Sequence, residues 1–373
     1  MTERSHAHGM AFVADAPIPP SPAPRSSTGP VGWMRENLFS GWINTLLTVL
    51  GLYLIYSVIA AILPWLLLNS TWEASSLGEC RELGSGACLA VINERFGQFI
   101  YGFYPAELRW RPNLAFVLLL VALVPVLFSN VPRKLLWFSA LYPVIAYFLL
   151  WGGLGLRPVS SDQFGGFLLT LIIGVTGIAA SLPLGILLAL GRQSDMFFIK
   201  AICVGFIEFI RGVPLITLLF VASTLLNYFL PPGTNFDIIL RVLIMVTLFA
   251  SAYMAEVIRG GLAALPKGQY EAADALGLDY WKSMRLIILP QALKISIPGI
   301  VNTFIGLFKD TTLVSVIGLL DPLGIISPIR ADQNWNGIVW ELYGFVALFF
   351  FICCFSMSRY SMYLERKLQT GHR

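Results

Sequence analysis

The sequence predicts an all-α integral membrane protein with about eight spanning helices, and three observations carry that prediction. Of its 373 residues, 57% are apolar and only 12% are charged, about half the charged share of a soluble domain. Too little charge remains to cover solvated domains of this total length. Apolar runs reach the ~20 residues that cross a bilayer's hydrocarbon core at about 43–68, 114–131, 135–154, 164–190, 199–230, 238–258, 297–320 and 338–357. Lys and Arg lie unequally on the two sides of those runs, as they do in membrane proteins.

Taken in order, residues 1–41 hold Pro17, Pro19, Pro20, Pro22, Pro24 and Pro30 with Ser26, Ser27 and Thr28. That composition buries no core and predicts a disordered tail. The first apolar run begins near Ile43 and is too long for a cleaved signal segment, which predicts a permanent anchor. The second and third runs are short and joined by a tight Pro132-Arg133-Lys134 turn. The fifth is overlong for one straight helix and carries Pro214, which predicts a kink or an interfacial end. Gly174, Gly177, Gly185 and Gly191 in the fourth read as close helix contacts.

With an inside N-terminus, sixteen Lys and Arg fall on the inside and seven on the outside. The excess predicts cytoplasmic N- and C-termini. Cys80 and Cys88 then lie in the external loop 69–113, where an oxidising compartment would permit a disulfide, and two unpaired small residues are the alternative. Cys203, Cys353 and Cys354 fall within spans and read as packing residues.

Several chemistries are excluded. The only histidines, His6, His8 and His372, are terminal, so no triad, zincin or haem site can be built in the body of the chain. No glycine-rich phosphate loop ends in Gly-Lys-Ser or Gly-Lys-Thr. A formal charge of +4 is too small and too dispersed for nucleic acid.

Between the sixth and seventh runs, Arg259 to Ser296 is neither apolar enough to span nor polar enough to be disordered. Pro266 suits a helix start, Glu271-Ala272-Ala273-Asp274-Ala275-Leu276 are good helix formers, and Gly277 suits a left-handed cap. A second helix is expected from an Asp279 cap to Pro290. These elements make a helical hairpin on the inner membrane surface.

Glu271-Ala272-Ala273, Gly277, Ile287 and Leu289-Pro290, at their spacing, resemble the EAA signature of permease subunits of bacterial ATP-binding-cassette (ABC) importers. The segments Glu208-Phe209-Ile210-Arg211-Gly212-Val213-Pro214, Ala255-Glu256-Val257-Ile258-Arg259-Gly260-Gly261, Leu289-Pro290-Gln291-Ala292 and Lys309-Asp310-Thr311-Thr312-Leu313 resemble the polar amino acid subfamily. The extension, with Gly97-Gln98-Phe99-Ile100, Tyr104-Pro105 and the terminal Gly371-His372-Arg373, resembles the long M-type permease of general L-amino acid transporters.

That resemblance implies a five-helix type I importer core over 161–360. Around it lie an N-terminal extension of three spans over 42–160 and short cytoplasmic tails at 1–41 and 361–373. It implies a bacterial inner-membrane subunit that is not itself an enzyme and holds no cofactor, with ATP bound by a dimer of partner ATPase subunits. A second homologous permease, a periplasmic amino acid-binding protein and membrane lipid would be its other partners. Substrates would centre on acidic amino acids and their amides. Glu271, Ala272, Ala273, Gly277, Leu289 and Pro290 would couple the ATPase to the spans.

Two groups of ionisable residues sit at membrane depth, where each charge costs ~2.5–3.5 kcal/mol unless paired or wet. Glu208 and Arg211 share a helix face at i, i+3. They read either as contacts for a zwitterion or as an ion pair holding the fifth span to its neighbours. Lys309 and Asp310 fall near the middle of the seventh span with Asn302 and Thr303 two turns away on nearly the same face. The resemblance implies a path-lining or gating stripe, and packing is the alternative. An ion-coupled secondary carrier or channel using these four charges is the competing function, and it leaves the hairpin unexplained.

Overall fold

The computed structural model describes residues 29–128, 130–225 and 236–369. Residues 1–28, the end of the fifth apolar run and the terminal Gly371-His372-Arg373 lie outside the described residues. Among the described residues all regular structure is helical, apart from isolated bridges.

The chain forms two compact units, Met1–Ser70 and Thr71–Arg373. In the first, α1 (Gly29–Asn37) begins inside the stretch expected to be disordered. Pro30 sits in its first turn, where a missing N–H costs nothing. α2 (Trp42–Leu63) contains no charged residue and is apolar on every side, as a lipid-facing or fully packed helix must be. It widens into a π turn at Pro64–Leu68.

The second unit begins at Thr71, and its first helices fold onto the later ones. α3 (Leu77–Leu83) and α4 (Ala90–Tyr101) are tied by the bonded pair Cys80–Cys88, whose Cα atoms are 5.8 Å apart. Phe99 of α4 packs on Phe167 and Phe345. Arg95 reaches Asp332, and Glu341 accepts the Cys88 N–H at 3.1 Å.

α5 (Trp110–Leu127) and α6 (Leu136–Trp151) run antiparallel. The Ser139 hydroxyl donates to Ala122 O and the Tyr142 hydroxyl to Ala115 O. α6 has 16 residues, fewer than the ~20 that a straight span needs.

The centre of the second unit is α7 (Gly166–Gln193) against α10 (Ile238–Ala263). The expected close contacts are present. A Cβ on Gly185 would lie 2.6 Å from Met254 Cγ, and one on Gly177 would lie 3.2 Å from Val246. Gly166 opens α7 at φ +58, where a Cβ would meet Phe99 O.

Between these helices, α8 (Phe197–Gly212) and α9 (Leu215–Phe220) are bent by 101°. Pro214 stops α8, since its preceding residue is driven out of helical geometry, and Val213 has ψ 132. The fifth run is therefore a broken element and not one helix.

α11 (Lys267–Ala275) and α12 (Tyr280–Ser283) form the hairpin, and α13 (Leu289–Asp310) follows. The seventh span begins earlier than residue 297. α12 passes through a π turn, Met284–Ile288, directly into α13. Pro290 does not end the helix, because it falls in the first turn of α13 and the wide turn before it accommodates the proline ring. After a 3₁₀ segment, Thr311–Ile317, come α14 (Ile326–Ala331) and α15 (Trp340–Gln369).

Among the described residues six helical segments are long and apolar enough to cross a membrane, and the bent α8 and α9 pair would make a seventh. The third apolar run lies on the shorter helix α6.

Candidate functional site

The hairpin is held by local chemistry. At the end of α11 the Leu278 N–H donates to Ala273 O at 3.2 Å and the Gly277 N–H to Asp274 O at 2.9 Å. That is the two-bond Schellman closure, and it requires the left-handed residue Gly277, φ +69. Two residues later Asp279 caps α12, accepting the Lys282 N–H at 2.9 Å, with the Lys282 ammonium 3.0 Å away. The backbone N–H and then the ammonium hydrogen bond of Lys282 hold this carboxyl below its ordinary value.

One face of the hairpin turns into the bundle. Ala273, Ser283, Met284 and Ile288 are buried, and the Gln291 amide donates to Gln269 Oε1 at 2.9 Å, joining α11 to the start of α13. The other face is open. Glu271 and Ala272 are exposed, and so are Leu276 at 72% and Trp281 at 68%, with Tyr280 between them. Leu289 is half-buried and Pro290 exposed. An apolar tip this open is an interaction surface.

At the hairpin end of the bundle a charged cluster ties three helices. Arg192 of α7 lies 2.7 Å from Glu208 of α8 and 3.1 Å from Glu256 of α10. Glu256 also meets Arg259 at 3.0 Å and Arg211 at 3.6 Å, and Arg211 stacks over the Tyr253 ring. Glu208 and Arg211 therefore pair with other helices and not with each other. They share a face of α8, but α8 crosses the ends of α7 and α10, which supply opposite charges to both.

Glu256, only 15% exposed on its side chain, is the hub, and sequence reasoning did not single it out. Its signal was the Glu256–Arg259 spacing of i, i+3. Arg192 carried no local signal beyond ending an apolar run.

The α13 stripe is only partly assembled. Asn302 and Lys309, seven residues apart, are both exposed. Thr303 uses its hydroxyl within the helix, donating to Gly299 O at 2.9 Å. Lys309 and Asp310 do not lie mid-helix. They close α13 where it tightens into the 3₁₀ turn at Thr311. Beyond that turn Asp321 is fully buried and accepts the Gly324 N–H at 2.8 Å and the Leu323 N–H at 3.2 Å. Burial pushes its carboxyl up to about 6 despite those bonds. Among the described residues no group of three or more His, Cys, Asp and Glu is placed to hold a metal ion.

A bundle of long apolar helices with a short helical hairpin between two of them is the architecture of a multi-span membrane protein. Residues 181–370 match the family described as binding-protein-dependent transport system inner membrane component, and the chain belongs to that family. It is similar over almost its whole length to permeases of amino acid transport systems. The glutamate/glutamine/aspartate/asparagine transport system permease protein BztC of Rhodobacter capsulatus is 55% identical over 97% of this chain and 99% of its own. The inner membrane amino-acid ABC transporter permease protein YhdY of Escherichia coli is 50% identical over 95% of this chain and 97% of its own. The probable glutamine ABC transporter permease protein GlnM of Bacillus subtilis, 34% identical, aligns over 95% of its length but 57% of this chain. This chain is thus a multi-pass inner-membrane polar amino acid ABC permease, a transport component that is not itself an enzyme.

Proposed function

We propose that this permease takes up acidic L-amino acids and their amides, driven by ATP that a dimeric partner ATPase binds and hydrolyses. The hairpin around Glu271, Ala272, Ala273 and Gly277 docks on that ATPase. Leu289 and Pro290 join it to α13. A second homologous permease completes the pore and a periplasmic amino acid-binding protein delivers the substrate. The hairpin side, with both termini, faces the cytoplasm.

The observation that supports this most is the hairpin itself. The turn between its arms is capped on both sides, its tip is apolar and open, and its second arm runs without a loop into a span. The exposed Asn302 and Lys309 on α13, with Thr303 and Asp310 beside them, line the path or its gate. The cluster of Glu208, Arg211, Arg192, Glu256 and Arg259 locks α7, α8 and α10 together at the hairpin end.

The test is purification of the tagged chain from its native membrane in mild detergent, followed by mass spectrometry of co-purifying proteins. An ATPase and a second permease in comparable amounts are expected. A chain that emerges alone, with uptake that follows an ion gradient and continues without ATP, would return the charged residues to the carrier reading.

A further inference from the structure

Far from the hairpin and the charged cluster, the second unit contains an apolar crevice of about 630 Å³ between α5, α6, α7 and α10. Leu119, Ala146, Leu168 and Leu171 are among its walls. Tyr101 and Asn113 close one end, with the Tyr101 hydroxyl donating to Asn113 Oδ1 at 2.7 Å. Above Tyr101 lies Arg109, its guanidinium carbon 5.0 Å from the ring centroid.

Arg109 differs from its neighbours. Arg95 pairs with Asp332, Arg157 with Glu107, and Arg111 donates to Arg157 O at 2.7 Å. The Nε of Arg109 is buried without an acceptor, as are those of Arg95 and Arg111, but among the described residues Arg109 alone of these makes neither an ion pair nor a side-chain hydrogen bond. Its other side borders a second hollow of about 460 Å³ that also touches Gln98 and the pair Glu94 and Arg95, 3.8 Å apart. A half-buried guanidinium resting over an aromatic ring, with open space beside it, is a seat for an anion. Around this level Phe103, Trp110 and Tyr147 are exposed, as aromatic side chains at a membrane–water interface are.

We propose that this is a phospholipid site, with the lipid phosphate on Arg109 and one acyl chain in the crevice below Tyr101. Tyr101 lines the crevice, Arg109 lines the second hollow, and the two side chains lie against each other, which matches a molecule with a charged head and an apolar tail joined end to end. A free amino acid would satisfy Arg109 but would leave the apolar crevice empty. The lipid seals α5 and α6 of the extension against α7 and α10. This inference does not depend on the coupling role of the hairpin.

The experiment reconstitutes the chain with its co-purifying partners in nanodiscs of phosphatidylethanolamine and phosphatidylglycerol. Native mass spectrometry then counts phospholipid retained through delipidation. One tightly held phospholipid per chain is expected. Arg109→Gln should lower its retention about tenfold, the loss of one charge-assisted contact, and Arg109→Lys should keep most of it. Ala146→Phe, which fills the crevice and leaves Arg109 in place, should also lower it. Equal retention in all four proteins, or displacement of the bound lipid by free glutamate, would overturn the proposal. Benzoylphenylalanine in place of Phe116, another wall residue, tests the same site without touching Arg109. Phospholipid adducts are expected there, and adducts to protein alone would overturn it.

Discussion

Gly277 is the position where the coupling assignment is most exposed to test. Its φ is +69, and a Cβ built there meets nothing within 4 Å. A substitution is therefore penalised by the backbone alone, about 1–2 kcal/mol for an L-residue in left-handed geometry and less for asparagine. That penalty acts on the closure made by the Leu278 and Gly277 N–H groups. It shifts the local equilibrium roughly five- to thirtyfold toward an opened tip and leaves the span interfaces untouched. Gly277→Asp adds a carboxylate close in sequence to Asp274 and Asp279, on the face offered to the partner. The expected order of ATP-driven uptake is Gly277, then Asn, then Ala, with Asp abolishing it. The assay is uptake of labelled glutamate into proteoliposomes holding the full transporter, alongside immunoblots showing equal chain in the membrane. Uptake by Gly277→Asp at the native rate would refute the reasoning.

Three further predictions rest on other parts of the fold. Glu256→Gln leaves Arg192, Arg211 and Arg259 with only Glu208 between them. It should lower thermal stability in detergent by about 2–3 kcal/mol, below the 3–5 of a fully buried pair because the site is partly exposed, and an unchanged melting curve would contradict the hub role. Asp321 has a folded carboxyl near 6 against an ordinary 3.8, so its contribution to stability is present below about pH 4 and lost as pH rises to about 6. The loss totals about 3 kcal/mol; Asp321→Asn should flatten that stretch of the melting profile, and an unchanged slope would count against it. Replacing both Cys80 and Cys88 by serine should destabilise the segment of α3 and α4 by about 2–3 kcal/mol, as expected for a loop closed over a separation of eight residues. Limited proteolysis should then cut between α3 and α4 first, and equal protease resistance would show that the bond adds nothing.

The helices and the hairpin were legible in the sequence because their signals are local. Apolar run length located the spans, and Pro266, Gly277 and Asp279 located the hairpin's turns. The prolines misled where position within a turn mattered more than presence. Pro290 reads as a stop, yet in the first turn of α13 it needs no donor. Pro30 reads as tail, yet it starts α1. The charged cluster was half visible, since Glu208 and Arg211 announce themselves by depth. Their true partners, Arg192 and Glu256, lie 16 residues away from Glu208 and on a third helix, and no pattern along one chain encodes which helices meet. The folded segment of α3 and α4 was invisible for the same reason, because the Phe99, Phe167 and Phe345 cluster joins residues far apart in sequence.

The loop-free passage from α12 through Met284–Ile288 into α13 also has a mechanical meaning. A 22-residue helix is ~33 Å long, so a tilt of about 10° at one end displaces the other by about 6 Å. A flexible linker would absorb such a push, whereas a continuous helix passes it on toward Lys309 and Asp310. The wide π turn beside the hairpin and Pro298 inside α13 are the compliant points of the rod, and the Gln269–Gln291 hydrogen bond braces the turn from the side. Stiffness along α13 would set how far a small displacement at the hairpin tip is magnified at the opposite membrane face.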